Sequence, residues 1–214
     1  MNDDVWSLVH AERAALIEDL THLDDKQWDH PSLCDGWTVH DVVAHLVDTA
    51  RTTRLGFVSG MIRARFDFDR QNARGVDRER GASPRETLER LRQVAPRRSG
   101  PPAPLDTRLI EEVVHGEDIR RPLGLTHSYL PAAVIRAVRL QARTSASFGG
   151  AKERVAGVQL AADDADLLIG EGPQARGNAV SLLLAISGRR EALDELDGPG
   201  VAALRTPGTR PASS

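Results

Sequence analysis

The chain has 214 residues, 40% of them hydrophobic and 28% charged, with a formal net charge of −3, ordinary values for a soluble globular protein with room for one full domain and a smaller unit. Asp3, Asp4, Glu12, Arg13, Glu18 and Asp19 exclude a secretory leader, and the longest apolar run, Ala179 to Ile186 broken by Ser181, is far too short to span a bilayer. A single cysteine, Cys34, excludes an intrachain disulfide and points to a reducing cytoplasm.

Apolar spacing predicts a first helix over about Asp4 to Leu23, with Val5, Leu8, Val9, Leu16, Leu20 and Leu23 along one stripe. Asp29-His30-Pro31-Ser32 then breaks the chain into a loop. Thr38 can cap a second helix while Asp41, three residues on, reaches back. Val39, Val42, Val43, Leu46 and Val47 supply its buried side, and it is expected to run past Phe57. The polar stretch Asp67 to Ala82 reads as an irregular loop. Ser83-Pro84-Arg85-Glu86 starts the next helix, with a serine cap, proline at the first helical position and glutamate at the third. Pro96 to Pro104 is a proline-rich linker, and a helix follows over about Asp106 to Arg120, ended by Arg121-Pro122-Leu123-Gly124. A further helix begins near Pro131 and fades into Phe148-Gly149-Gly150.

Beyond Gly150 the pattern changes. Arg154–Ala161 and Asp166–Gly170 read as two short strands, Arg176–Ile186 as a buried helix opened by Arg176, and Arg189–Leu196 as a short one. The expectation is mainly α: a helical bundle over 1–150, a small α+β unit over 151–206 and a disordered tail over 207–214.

Two segments carry candidate chemistry. His45 lies on the second helix; Glu111 and His115, four residues apart, project from one face of a later one. Two imidazoles and a carboxylate from facing helices would hold a divalent ion and leave a coordination position open, the arrangement of a catalytic site. Donor type alone admits zinc, nickel, manganese or iron. Taken singly, His45 also reads as a core histidine and Glu111 with His115 as a surface pair, and the neighbouring Glu112 is an alternative carboxylate. Asp48 and Asp118, each three residues beyond a histidine, are candidates to orient a ligand or to face solvent. Trp37 is expected to pack its loop against the first helix, His40 to be exposed, and Cys34 to be a half-buried thiol with no histidine placed by sequence to activate it. Arg176 is a candidate for binding a carboxylate of a substrate or cofactor, or a surface arginine at a domain junction.

Charge is unevenly spread. Between Arg51 and Arg98 there are 13 Arg against 6 Asp and Glu, a balance of +7, so the remainder carries −10. That belt suits a small anion or an acidic partner, or forms solvated faces; with aromatics at 4% there is no stacking platform for nucleic acid. Lysine occurs only at Lys26 and Lys152, an arginine bias of the kind high-GC bacterial genomes produce.

Gly36-Trp37-Thr38-Val39-His40-Asp41-Val42-Val43-Ala44-His45-Leu46, together with Glu111-x-x-x-His115-Gly116-x-Asp118, resembles the mycothiol-dependent maleylpyruvate isomerase family, within the wider DinB-like metal-binding bundles. Gly172-Pro173-Gln174-Ala175-Arg176-Gly177, then Leu182-Leu183-Leu184 and Gly188-Arg189, is similar to the C-terminal unit many members carry. The resemblance implies an up-and-down four-helix bundle with a metal triad at His45, Glu111 and His115, zinc as the ion and mycothiol, the small thiol of actinobacteria, as cosubstrate. The implied partners are that thiol and an electrophilic small molecule, with no nucleic acid or membrane and a monomeric or homodimeric state. The expected activity is thiol S-transfer or cis–trans isomerisation. The alternatives are a non-catalytic metal-binding sensor or regulator and a helical interaction module. The C-terminal unit reads as short for the family, with two clear strands.

Overall fold

The computed structural model describes residues 2–205, apart from the side chain of Asn2, so the expected tail over 207–214 lies outside the described residues. The chain divides into two compact units, up to Ser128 and from Tyr129 onward.

The first unit contains α1 (Asn2–Thr21), α2 (Asp25–Trp28), α3 (Val39–Arg51), α4 (Arg54–Arg63), α5 (Phe68–Glu79), α6 (Pro84–Val94) and α7 (Thr107–Arg120). Four of these form the bundle: α1 packs on α7, α7 on α3, α3 on α6 and α6 on α1, while α5 lies against α3 from outside the ring. Thr38 and Asp41 form the expected capping box at the start of α3, each accepting the other's backbone N–H. Ser83 caps α6, with Pro84 in its first turn. The core gathers Leu16 and Leu20 of α1, Val39, Val43 and Leu46 of α3, Leu88 and Leu91 of α6, and Ile119 of α7. Each such side chain contributes about 1.5–3 kcal/mol on burial. α3 is buried on almost every side, with only Asp41, Thr49 and Arg51 partly exposed.

Two expectations for this unit are corrected. The second helix does not run past Phe57: Thr52 turns extended (φ −61°, ψ 125°) and Thr53 caps a separate α4, its Oγ1 accepting from Gly56 N–H. Two successive threonines, poor helix formers with hydroxyls that bond locally, make that break. Nor is Asp67 to Ala82 an irregular loop, because Asp67 caps α5 by accepting from Arg70 N–H. The face α5 turns to α3 is Gly75, Val76 and Glu79 instead of an apolar row, so hydrophobic periodicity does not reveal it. Gly75 permits the close approach: a Cβ there would run into the Asp48 carboxylate.

The second unit holds α8 (Pro131–Arg143), β1 (Gln159–Ala162), β2 (Leu168–Ile169), β3 (Gln174–Gly177), α9 (Ala179–Ile186) and α10 (Val201–Arg205), with 3-10 turns at Ala146–Phe148 and Arg190–Glu195. The sheet order is β2-β1-β3; β2 is antiparallel to β1, with Leu160 opposite Ile169, and β3 is parallel to it, with Leu160 opposite Ala175. α9, buried along almost its whole length, packs on α8, β1 and β3. Because α8 packs against α9, the division falls at 128/129 and not at 150/151. The third strand was not expected, and Arg176 lies in it instead of opening a helix. The helix starts at Ala179, whose N–H donates to Asp164 Oδ1 at 2.8 Å. No described helix is long and apolar enough to cross a membrane.

Candidate metal centre

The loop before α3 is tied down at both ends. Ser32 N–H donates to the Trp37 carbonyl (2.9 Å), Val39 N–H to that of His30 (2.9 Å), and Leu33 N–H to the Asp118 carbonyl of α7 (3.1 Å). Within it Trp37 N–H donates back to the Cys34 carbonyl across a turn whose Gly36 has φ +76°, a backbone region that favours glycine. The turn presents Cys34 and Trp37 to the groove between α3 and α7.

His45 points from α3 toward α7, where Glu111 and His115 stand one turn apart. His45 Nε2 is 3.2 Å from Glu111 Oε2 and His115 Nε2 is 3.5 Å from the same oxygen; one donor atom from each residue lies within 4.8 Å of the others. The two imidazole centroids are 4.8 Å apart, edge to face. The His45 side chain is 5% exposed and that of Glu111 25%, so the cluster is walled in but reachable on its Glu111 side.

Burial alone would raise the Glu111 carboxyl, but the hydrogen bond from His45 and the charges of Arg108, His45 and His115 overcome it and hold the group well below the usual carboxylate range. Arg108, one turn before Glu111, is itself buried, with its Nη2 3.7 Å from Glu111 Oε1. Behind the cluster, His115 Nδ1 lies 2.9 Å from Asp118 Oδ2. An ionised carboxylate only accepts, so Asp118 suits a proton on Nδ1 and leaves Nε2, which faces Glu111, as the nitrogen a cation would take. Cys34 Sγ also donates to Asp118 Oδ2 at 3.3 Å and lies 3.9 Å from His115 Nδ1. Cys34, His115 and Asp118 thus form a second group of possible ligands, but the Nδ1 proton makes that group a support for the first. His45 Nδ1, by contrast, is buried without a hydrogen-bond partner. Trp37 closes one side, its ring 5.2 Å from that of His45. The donor set, the polarised His115 and the ionised Glu111 fit a divalent cation.

A profile of the mycothiol maleylpyruvate isomerase N-terminal domain matches residues 9–120, just over half the chain and the whole of this centre. The chain belongs to that family. Its fold is similar to crystal structures of the mycothiol-dependent maleylpyruvate isomerase (TM-score 0.62, 14% identity) and of a histidine-to-alanine mutant of that enzyme (0.64, 13%), over 99% of this chain and 95% of theirs. A comparison with curated proteins found no match. The mainly α, DinB-like bundle with a small α+β unit is therefore the fold of the family.

Of the residues singled out from sequence, His45, Glu111 and His115 come together in this family member. Glu112, the alternative carboxylate, points the other way, into the bundle, where Arg13 Nε donates to its Oε1 at 2.7 Å. Asp118 is hydrogen-bonded to His115, one of the three candidate ligands. Asp48 is not: Arg78 takes its carboxylate, which burial pushes up in pKa while that arginine opposes the shift. His40, expected to be exposed, is instead buried at 3% accessibility, its Nε2 2.7 Å from Thr87 Oγ1. Cys34 does have a histidine beside it, supplied from 81 positions away, a distance at which sequence spacing carries no signal. Arg108 was missed altogether; its place three residues before Glu111 on one helix was the available hint. Arg176 lies in the second unit with its guanidinium engaged by Asp163.

Proposed function

We propose that the chain is a thiol-using enzyme, a mycothiol S-transferase or cis–trans isomerase, in which His45, Glu111 and His115 hold one divalent ion, zinc in the first instance. The observation that carries the reading is the convergence of the three donors with His115 locked by Asp118. An ion bound there supplies a positive charge that stabilises the thiolate form of a coordinating thiol at neutral pH. The protein's own part is positional. Asp118 keeps the Nε2 lone pair of His115 turned inward, Arg108 keeps Glu111 ionised, and Trp37 walls off water on the His45 side. Attack of a thiolate sulfur on one carbon of an activated double bond would form a C–S bond while the π pair moves onto the electron-withdrawing group. Taking up a proton, the adduct gives a conjugate; expelling the thiolate after rotation about the former double bond, it returns the π pair and gives the isomer. One cysteine with no disulfide partner suits a reducing cytoplasm, where such a thiol is held reduced.

The test loads purified protein with zinc, removes excess and measures bound metal by plasma emission spectrometry, with His45→Ala/His115→Ala alongside. One ion in the wild type and none in the variant, with metal-dependent consumption of mycothiol in the presence of an electrophile, is the expected result. Metal retained without consumption of thiol would make the protein a metal-binding sensor. No metal in either would leave a helical interaction module.

A further inference from the structure

The largest departure from an ordinary protein surface lies on α4 and the turn after it. Leu55 is 84% exposed, Val58 49%, Ile62 59%, Phe66 73% and Phe68 39%. Scattered apolar side chains on a surface need no explanation, but a contiguous set does. Leu55, Val58 and Ile62 follow the i, i+3, i+7 spacing of one helix face, while Met61, about a quarter-turn away, and the C-cap Ala64 are buried. The outward ridge therefore belongs to a helix anchored along one flank and at its C-terminal end.

Charge flanks that ridge. At about 100° per residue, Arg54 and Arg63 fall on either side of the apolar row. Arg65 follows in the turn, where it and Phe66 both adopt left-handed backbone (φ 57° and 63°). All three arginines are exposed, and none has an ion-pair partner among the described residues. From Arg51 to Phe66 the sequence contains no aspartate or glutamate.

We propose that α4 and its following turn form an interfacial anchor for an anionic lipid surface. Leu55, Val58, Ile62 and Phe66 enter the headgroup–acyl boundary while Arg54, Arg63 and Arg65 reach lipid phosphates beside them. A convex apolar ridge with cationic flanks fits a deformable plane; a peptide partner would instead need a groove. Pairing with the same face of a second copy would set the unpaired arginines against one another. The helix is ten residues long, so it lies on the surface and does not span it, and its hold is weak and salt-sensitive. The sequence reading, which took α4 as a continuation of the preceding helix and expected no membrane partner, had no means of separating this face. The inference is independent of the thiol chemistry.

Cosedimentation of the full chain with vesicles tests it, comparing phosphatidylcholine alone with a mixture containing about a third phosphatidylglycerol. The wild type should pellet with the anionic vesicles, remain in solution with the neutral ones, and be released by high salt. Arg54→Gln/Arg63→Gln should weaken binding roughly thirtyfold, from about a fivefold loss at each of the two arginines. Leu55→Asp/Ile62→Asp should abolish it. Both variants alter exposed side chains, and unchanged circular dichroism and melting would show that they fold. Failure of the wild type to pellet with anionic vesicles would overturn the proposal, as would variants that bind like wild type. A lipid-free dimer broken by Leu55→Asp/Ile62→Asp would assign the face to a second copy and overturn it too.

Discussion

Glu111 and Glu112 are adjacent, yet they should fail in opposite ways when removed. Arg13 and Glu112 form a pair 2.7 Å apart with side chains 1% and 3% exposed, and burial pushes the Glu112 carboxyl up while Arg13 pulls it back. Glu112→Ala leaves Arg13 charged and buried, still donating to the Ala95 and Arg97 carbonyls (3.2 and 3.1 Å) but without a counter-ion. Breaking such a pair from one side costs about 3–5 kcal/mol. With a urea m-value of ~2 kcal/mol/M, the unfolding midpoint should fall by roughly 1.5–2.5 M. Replacing both members, as in Arg13→Met/Glu112→Leu, should recover most of the loss, because desolvating the pair consumes much of its Coulombic gain. Glu112→Ala should nevertheless retain the ion, since its carboxylate faces the bundle interior. Glu111→Ala, whose side chain is a quarter exposed, should lose the ion at much smaller cost in stability. The assays are urea denaturation in chelator and metal stoichiometry by emission spectrometry. A Glu112→Ala protein within about 1 kcal/mol of wild type, or one that loses metal while Glu111→Ala keeps it, would refute the assignment of the two carboxylates.

Three further outcomes are expected. Asp118→Ala frees the His115 tautomer and should weaken zinc binding about 10–100-fold in chelator competition, whereas unchanged affinity would remove Asp118 from the centre. The second concerns His40, whose pKa is lowered by burial first and then by Arg80, against smaller opposing effects of Asp41 and Asp29. Below its unfolded pKa of about 6.5 the unfolded chain takes up a proton that the native state refuses, so stability falls as pH drops from there toward the folded value. The stability of wild type relative to His40→Gln should therefore decline between about pH 7 and 5 and be flat above 7; a difference independent of pH would show that His40 does not titrate as described. Last, Gly75→Ala puts a methyl group into the Asp48 carboxylate that Arg78 holds in place, and should cost about 1–3 kcal/mol by thermal or urea unfolding; a neutral substitution would mean that α5 can withdraw from α3 freely.

The parts of this fold legible in the sequence are those written in local chemistry. Thr38 with Asp41, and Ser83 with Pro84, announce helix starts because a cap needs its donor and acceptor within three residues. Glu111 and His115 announce a shared face because one turn of helix separates them. α5 stayed hidden because its buried side consists of Gly75, Val76 and a glutamate, held by tertiary approach and the Asp67 cap. Cys34 and Arg13 stayed hidden for a different reason: their partners His115, Asp118 and Glu112 lie 81 to 99 positions away, and only the folded bundle joins them. The third strand escaped because Gln174-Ala175-Arg176-Gly177 carries two small residues where an alternating strand would show large apolar ones.

The nearly complete enclosure of α3 has a dynamic consequence. α2, α5, α6 and α7 all pack against it, so its amide hydrogens can reach solvent only when the bundle itself opens, and their exchange should report the global unfolding free energy. α4, which rests chiefly on α5, should exchange by local opening far faster. The helix that carries His45 is thus the slowest clock in the first unit, and the helix that begins three residues after its end is among the fastest.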